Sequence, residues 1–124
     1  MMRASILITV VIVSFVTAWG VFAPKLEEKA RAYHSFAKCI SLSGAQLYGI
    51  NTSQASFRQK KLFGNAGSDL PYIECSINFD FSNQVQACRE KQINTYPTWI
   101  FADGQRREGV LSKDQLSLIT GCEL

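Results

Sequence analysis

No charged residue interrupts the chain between Arg3 and Lys25, and that gap limits what the rest can become. Ala4 to Ala23 is long enough, at about 1.5 Å per helical residue, to cover about 30 Å, the thickness of a bilayer's hydrocarbon core. Two readings follow. In the preferred one, residues 1–23 form an uncleaved signal anchor. In the other, the segment is a signal peptide, with Val16-Thr17-Ala18 supplying small residues for a cut after Ala18. A cut after Ala23 is disfavoured because Pro24 follows directly. Both readings export residues 24–124. Arg3 would stay inside by the positive-inside tendency, a signal that Lys25, Lys29 and Arg31 weaken. The expected location is therefore a single-pass membrane protein with its folded part on the exported side, in a periplasm, thylakoid lumen or equivalent, or a secreted protein if the leader is removed.

What remains after the leader suits one domain of about 100 residues. The formal net charge of +3 is small, and Lys and Arg are mixed with Asp and Glu, so no nucleic-acid partner is expected. The local group Arg58, Lys60 and Lys61 reads as a solvated helix face. Four cysteines, Cys39, Cys75, Cys88 and Cys122, sit behind the hydrophobic leader. An even number in that context points to disulfides in an oxidising compartment rather than to buried thiols.

The order of elements comes from periodicity and punctuation. Leu26, Ala30, Tyr33, Ala37 and Ile40 recur at steps of four and three, which predicts an amphipathic helix after Pro24. Glu27 and Glu28 suit its first turn, and Ser43-Gly44 ends it. His34 on this helix has no Cys, His or carboxylate at ligand spacing and reads as a surface histidine. No metal or other cofactor is expected. Ala45 to Ile50 reads as a short buried strand. Asn51-Thr52-Ser53 forms a turn and caps a helix from about Ser56 to Phe63, stopped by Gly64-Asn65. Pro71 to Cys75 is a second strand, and Ser82 to Lys91 a further helix with Val85 and Cys88 on one face. Thr98 to Phe101 is a third strand, Asp103-Gly104 a hairpin turn, and Arg106 to Gly109 a fourth strand. Ser112 and Gln115 form a capping box for the last helix, which Gly121 closes. The result is a helix followed by β-α-β-α-β-β-α: an α/β domain whose mixed four-stranded sheet is flanked by helices.

That order is the thioredoxin fold, and Tyr96-Pro97-Thr98-Trp99 adds a second mark, because thioredoxin-like proteins carry a cis-proline loop before the third strand. Pro97 stands at that place. More closely, the sequence resembles the thioredoxin-like domain attached to bacterial and plastid homologues of vitamin K epoxide reductase. The likeness lies in Phe36-Ala37-Lys38-Cys39, Gln46-Leu47-Tyr48-Gly49, Arg58-Gln59-Lys60-Lys61-Leu62-Phe63-Gly64, Pro71-Tyr72-Ile73-Glu74-Cys75, Tyr96-Pro97-Thr98-Trp99 and Leu118-Ile119-Thr120-Gly121-Cys122. It covers roughly residues 33 to 122. The resemblance implies a domain that exchanges disulfides with a membrane-embedded quinone reductase and with exported protein substrates.

One departure changes that implication. The family carries Cys-x-x-Cys between the first strand and the next helix. Here Ser53-Gln54-Ala55-Ser56 fills the place, with Ser53 and Ser56 at the cysteine positions. A thiolate at a helix N-terminus attacks a substrate disulfide, and the second thiol resolves the intermediate. A serine hydroxyl is far less acidic and cannot join a disulfide. It acts as a nucleophile only with a base beside it, which nothing in the sequence supplies. Gln54-Ala55 also departs from the usual Pro-His pair, as in a diverged natural site. No catalytic residue is therefore assigned. Two roles stay open for the site: a helix cap that binds nothing, or a groove of Thr52, Tyr96 and Pro97 that holds an extended exported peptide through backbone hydrogen bonds at a strand edge. Trp99 reads as core.

Four cysteines allow three pairings. The resemblance implies Cys75 with Cys88. Cys39 with Cys122 follows from the fold, since both would lie at the end of the sheet opposite the active site. A rival reading makes Cys75 and Cys88 an exchanging redox pair that works with a quinone-linked reductase. Its weakness is that neither residue opens a helix. Asn51-Thr52-Ser53 also matches the N-glycosylation triplet, which matters only in a eukaryotic secretory route.

Overall fold

The computed structural model describes residues 20, 24–77 and 80–124, with side chains placed from residue 83 onward after that gap. The expected anchor over residues 4–23 thus lies outside the described residues, apart from Gly20. Among the described residues no helix is long and apolar enough to cross a membrane. Residues 24–31 are helical. Ala32–Leu124 forms one compact unit, to which everything below refers.

Helix α1 (residues 32–42 of this unit) buries Ala37 and Ile40 of the expected stripe, half-buries Tyr33, and adds Phe36 to the core, whereas Leu26 and Ala30 of that stripe, before this unit, are exposed. It ends at Gly44, whose φ of +85° favours glycine and whose missing side chain leaves room for Ala102. Strand β1 (Gln46–Gly49) leads to helix α2 (Gln54–Lys61) and a 3-10 turn (Gly64–Asp69). Strand β2 (Tyr72–Glu74) follows. A small hairpin of β3 (Ser76–Ile77) and β4 (Asp80–Gln84) precedes the short helix α3 (Gln86–Glu90). The chain closes with β5 (Thr98–Ile100), β6 (Arg106–Glu108) and α4 (Lys113–Thr120).

The main sheet has the order β2-β1-β5-β6. β1 and β2 are parallel, and the other two pairs are antiparallel. This is a mixed four-stranded sheet flanked by helices. The register sets its two faces. Leu47 lies opposite Tyr72 and Trp99, and these side chains share a face with α1, α2 and α4. Phe36 stacks on Phe63 at 5.7 Å and Trp99 on Phe101 at 6.0 Å within that layer. Tyr48, one residue on, lies opposite Ile73 and faces the other way, into a smaller cluster with Cys75, Cys88 and Ile93.

A buried glutamine ties the first layer together. Gln59 is fully buried on α2. Its Oε1 accepts from Trp99 Nε1 at 3.2 Å and from the Leu111 N–H at 2.7 Å, while its Nε2 donates to the Leu111 carbonyl at 3.1 Å. Every polar atom of its amide head is thereby paired with the chain that enters α4.

One predicted element is shorter than expected and follows a strand. The helix expected over Ser82 to Lys91 is instead β4 followed by α3, with Val85 between them as the N-cap. The antiparallel pairing of Ser76 with Gln84 and of Ile77 with Asp80 claims the first part of that stretch for a strand and leaves the helix only Gln86–Glu90. Cys88 consequently falls in the first turn of a five-residue helix, closer to a helix N-terminus than expected.

Candidate functional site

The carboxyl ends of β1 and β2 meet the start of α2, and that junction holds the two serines. Gly49 ends β1 opposite Glu74 of β2. Extending the antiparallel register of β1 with β5 by one step sets Gly49 opposite Pro97 on its other side. A Cβ at Gly49 would meet Ser56 Oγ at 2.7 Å and the Tyr72 ring at 2.7 Å, so only glycine lets α2 and β2 close over it. The chain then turns, with the Ser53 N–H donating to the Ile50 carbonyl at 3.0 Å. Ser53 is the N-cap of α2, and its Oγ accepts from the Ser56 N–H at 3.3 Å. Ser56 is fully buried, and its Oγ has no hydrogen-bond partner among the described residues. One hydroxyl is employed and the other is stranded. Thr52 lies exposed on the turn.

Beside the serines lies a polar cluster that sequence reasoning missed. Glu74 Oε1 accepts from Ser76 through its backbone N–H at 3.1 Å and its hydroxyl at 2.5 Å. Glu74 Oε2 accepts from the Tyr72 hydroxyl at 3.1 Å. Burial, reinforced by the neighbouring Glu74 carboxylate, raises the Tyr72 hydroxyl well above the ordinary tyrosine range. Lys60 Nζ sits 4.0 Å from the centre of the Tyr72 ring and donates to Asn51 Oδ1 at 3.1 Å. Lys60 is thus drawn into the structure, whereas the expected solvated face keeps Arg58 and Lys61 exposed. The available signal was the i, i+2 spacing of Tyr72 and Glu74, which puts them on one face of a strand.

The Tyr96–Pro97 peptide bond is cis. Pro97 itself is fully buried, so its ring is not a contact surface. Tyr96 is half-buried against the second cluster, and the Gln84 side-chain amide donates to its hydroxyl. The Pro97 carbonyl accepts from the Gly109 N–H at 2.8 Å. β5 is an inner strand, between β1 and β6, so Tyr96-Pro97 is the start of a central strand and not a sheet edge. Within the described residues no backbone hydrogen bond engages Tyr96. What this segment offers a ligand is therefore the backbone of Tyr96, beyond the last paired rung of β1 and β5. Trp99 is fully buried in the core.

Both disulfides are formed: Cys75 with Cys88, and Cys39 with Cys122. No cysteine is free. Cys75 follows β2 directly, and its N–H donates to the Gly49 carbonyl at 2.8 Å, which sets the Cys75–Cys88 bridge behind the serine junction, in the cluster on the opposite face. Cys75 and Cys88 are both fully buried there, which shields their bridge from an attacking thiolate. In the other bridge, Cys39 is exposed and Cys122 buried.

His34 has a partner that its local sequence does not reveal. Its Nδ1 lies 2.5 Å from Asp69 Oδ2, thirty-five positions away on the 3-10 turn. Among the described residues no group of three or more His, Cys, Asp or Glu side chains is gathered as a metal site. No family model matches the sequence.

Proposed function

We propose that this protein is a thioredoxin-fold module, similar to the domain attached to vitamin K epoxide reductase homologues, that is held at the exported face of a membrane by residues 4–23 and binds extended segments of exported proteins without exchanging disulfides with them. The observation that carries this reading is the state of the junction at α2. Ser53 spends its hydroxyl on the helix cap, Ser56 is sealed beneath Gly49 and Tyr72, and all four cysteines are committed to bridges elsewhere. The helix N-terminus that would activate a thiolate is present, and no sulfur stands on it.

Support for binding comes from Tyr96. Its backbone has no hydrogen-bond partner among the described residues beyond the last paired rung of β1 and β5, and Gly49, Pro97 and the α2 N-terminus lie at that end of the sheet. An extended peptide could add its own N–H and C=O groups to Tyr96 there. The rival reading, a carrier working through Cys75 and Cys88, gains from the place of Cys88 in the first turn of α3. The burial of both residues weighs more heavily against it.

The test is an insulin-reduction assay on the purified full chain, paired with photocrosslinking from a reporter at Thr52 or Tyr96. No turnover together with a peptide crosslink is expected. Turnover that disappears in a Cys75→Ala variant would establish the carrier instead. Neither turnover nor crosslink would leave the fold as a structural part of a larger membrane complex.

A further inference from the structure

Although Lys and Arg are mixed with Asp and Glu over the chain as a whole, the stretch from Lys29 to Ser68 contains no Asp or Glu and carries Lys29, Arg31, Lys38, Arg58, Lys60 and Lys61. α2 is the strongest expression of that bias. Its four-residue spacing sets Phe57 beside Lys61 and Arg58 beside Leu62 on the outer surface. Phe57 is 55% exposed and Leu62 39%, with Val110 from the adjoining loop at 37%. Lys61 lies 5.8 Å from the Phe57 ring centre, and among the described residues no carboxylate pairs with Arg58 or Lys61. Two open hollows with largely apolar walls adjoin this face and share Lys61. One, of about 440 Å³, is lined by Arg58, Lys61, Leu62 and Val110. The other, of about 480 Å³, extends from Phe57 towards Gly67.

An exposed aromatic and two aliphatic side chains among unpaired cations are not accounted for by peptide binding at Tyr96. An extended peptide would find nothing to pair with on this face, because the backbone of α2 is satisfied within the helix. A layer of anionic lipid headgroups fits better. Arg and Lys stems lie along apolar side chains while their heads reach the phosphates, and Phe and Leu insert at the headgroup boundary. We propose that the outer face of α2, centred on Phe57, Arg58, Lys61 and Leu62, rests on an anionic lipid surface. The proposal rests on the anchor part of the functional reading for the nearness of a membrane, and on nothing in the peptide-binding part.

The test places the full chain in nanodiscs of phosphatidylcholine alone, or of phosphatidylcholine mixed with phosphatidylglycerol, and acylates exposed lysines with a water-soluble reagent. Each basic side chain near an anionic surface favours contact about fivefold, so with Arg58 and Lys61 both on the face Lys61 should be acylated about 25-fold less in the anionic discs. Exposed Lys91 on the far side of the sheet is the control and should not change. Raised salt should restore the labelling of Lys61. A Phe57→Ser/Arg58→Gln variant, altered only at exposed positions, keeps Lys61 as the one cation of the face and should retain no more than about a fivefold difference in Lys61 labelling between the discs. Equal labelling in the unaltered protein overturns the proposal, as does full shielding in the variant. If a soluble Glu-Phe repeat peptide shields Lys61 while anionic lipid does not, the face is a peptide surface and the lipid proposal falls. A chain that fails to stay with neutral discs overturns the anchor reading alone. The α2 proposal is then decided by whether Lys61 is shielded on anionic ones.

Discussion

The Ser53 and Ser56 hydroxyls are the same group under opposite conditions, and their removal should act in opposite directions. Ser53 Oγ accepts a backbone N–H at the α2 N-terminus, so Ser53→Ala should cost about 1 kcal/mol. Ser56 Oγ is buried without a partner, a state that costs roughly 1–3 kcal/mol. Ser56→Ala removes that cost, adds helix propensity, and should stabilise by about 1 kcal/mol. Urea midpoints for the two variants would separate them, and a destabilised Ser56→Ala protein would mean that the hydroxyl has a partner. Gln59 is the contrasting buried polar residue. Replacing it with Leu keeps the volume but strands the Trp99 N–H and both backbone groups of Leu111. A loss of about 3 kcal/mol or more is expected in the same measurement.

At the level of elements, β2 carries a pH response. The Tyr72 hydroxyl is raised by burial and then by Glu74. A tyrosine raised in the folded state stays protonated where the unfolded chain has already ionised. Its contribution is therefore whole below about pH 10 and is lost as pH climbs toward the folded value. Stability should fall above about pH 10, and Tyr72→Phe should flatten the fall in alkaline urea titrations. How much of these elements could be read from sequence depends on the range of the forces that set them. The capping box of Ser112 with Gln115, the αL close at Gly121 and the strand at Thr98–Ile100 are local, and the sequence displays them. The four-stranded sheet follows from their order. The β3–β4 hairpin was lost because Val85 and Cys88 also suit a helical stripe, and a single turn of helix does follow. The bond of His34 to Asp69, the three bonds of Gln59 and the closure of Tyr72 over Gly49 depend on pairings across the sheet, which no local spacing encodes. At the candidate site the two serines were legible as positions. Their different fates were not, because burial is decided by β2.

Across the whole molecule, sulfur is used for cross-linking, while oxygen stands at the N-terminus of α2. The Cys39–Cys122 bridge spans 83 positions and the Cys75–Cys88 bridge 13. By loop entropy the first contributes about 4–5 kcal/mol and the second about 3. Because Cys39 is exposed while Cys75 and Cys88 are both buried, mild reductant should open the longer bridge first. Mass spectrometry of alkylated, partly reduced protein would show the order. The same separation of roles makes the proposed reading testable by putting sulfur at the α2 N-terminus. A Ser53→Cys/Ser56→Cys protein would carry one sulfur at the N-cap of α2 and a second three residues on, beneath Gly49 and Tyr72. The helix terminus would lower the pKa of the first thiol, and the second would be placed to resolve a mixed disulfide. Ser56 is already buried without a hydrogen bond, and a thiol tolerates that environment better than a hydroxyl. The double variant should therefore fold and reduce insulin at a rate at least tenfold above an inactive parent. A folded but inert double variant would show that the junction lacks the access of a thioredoxin-type site, whereas turnover by the parent would show that exchange never depended on Ser53 and Ser56.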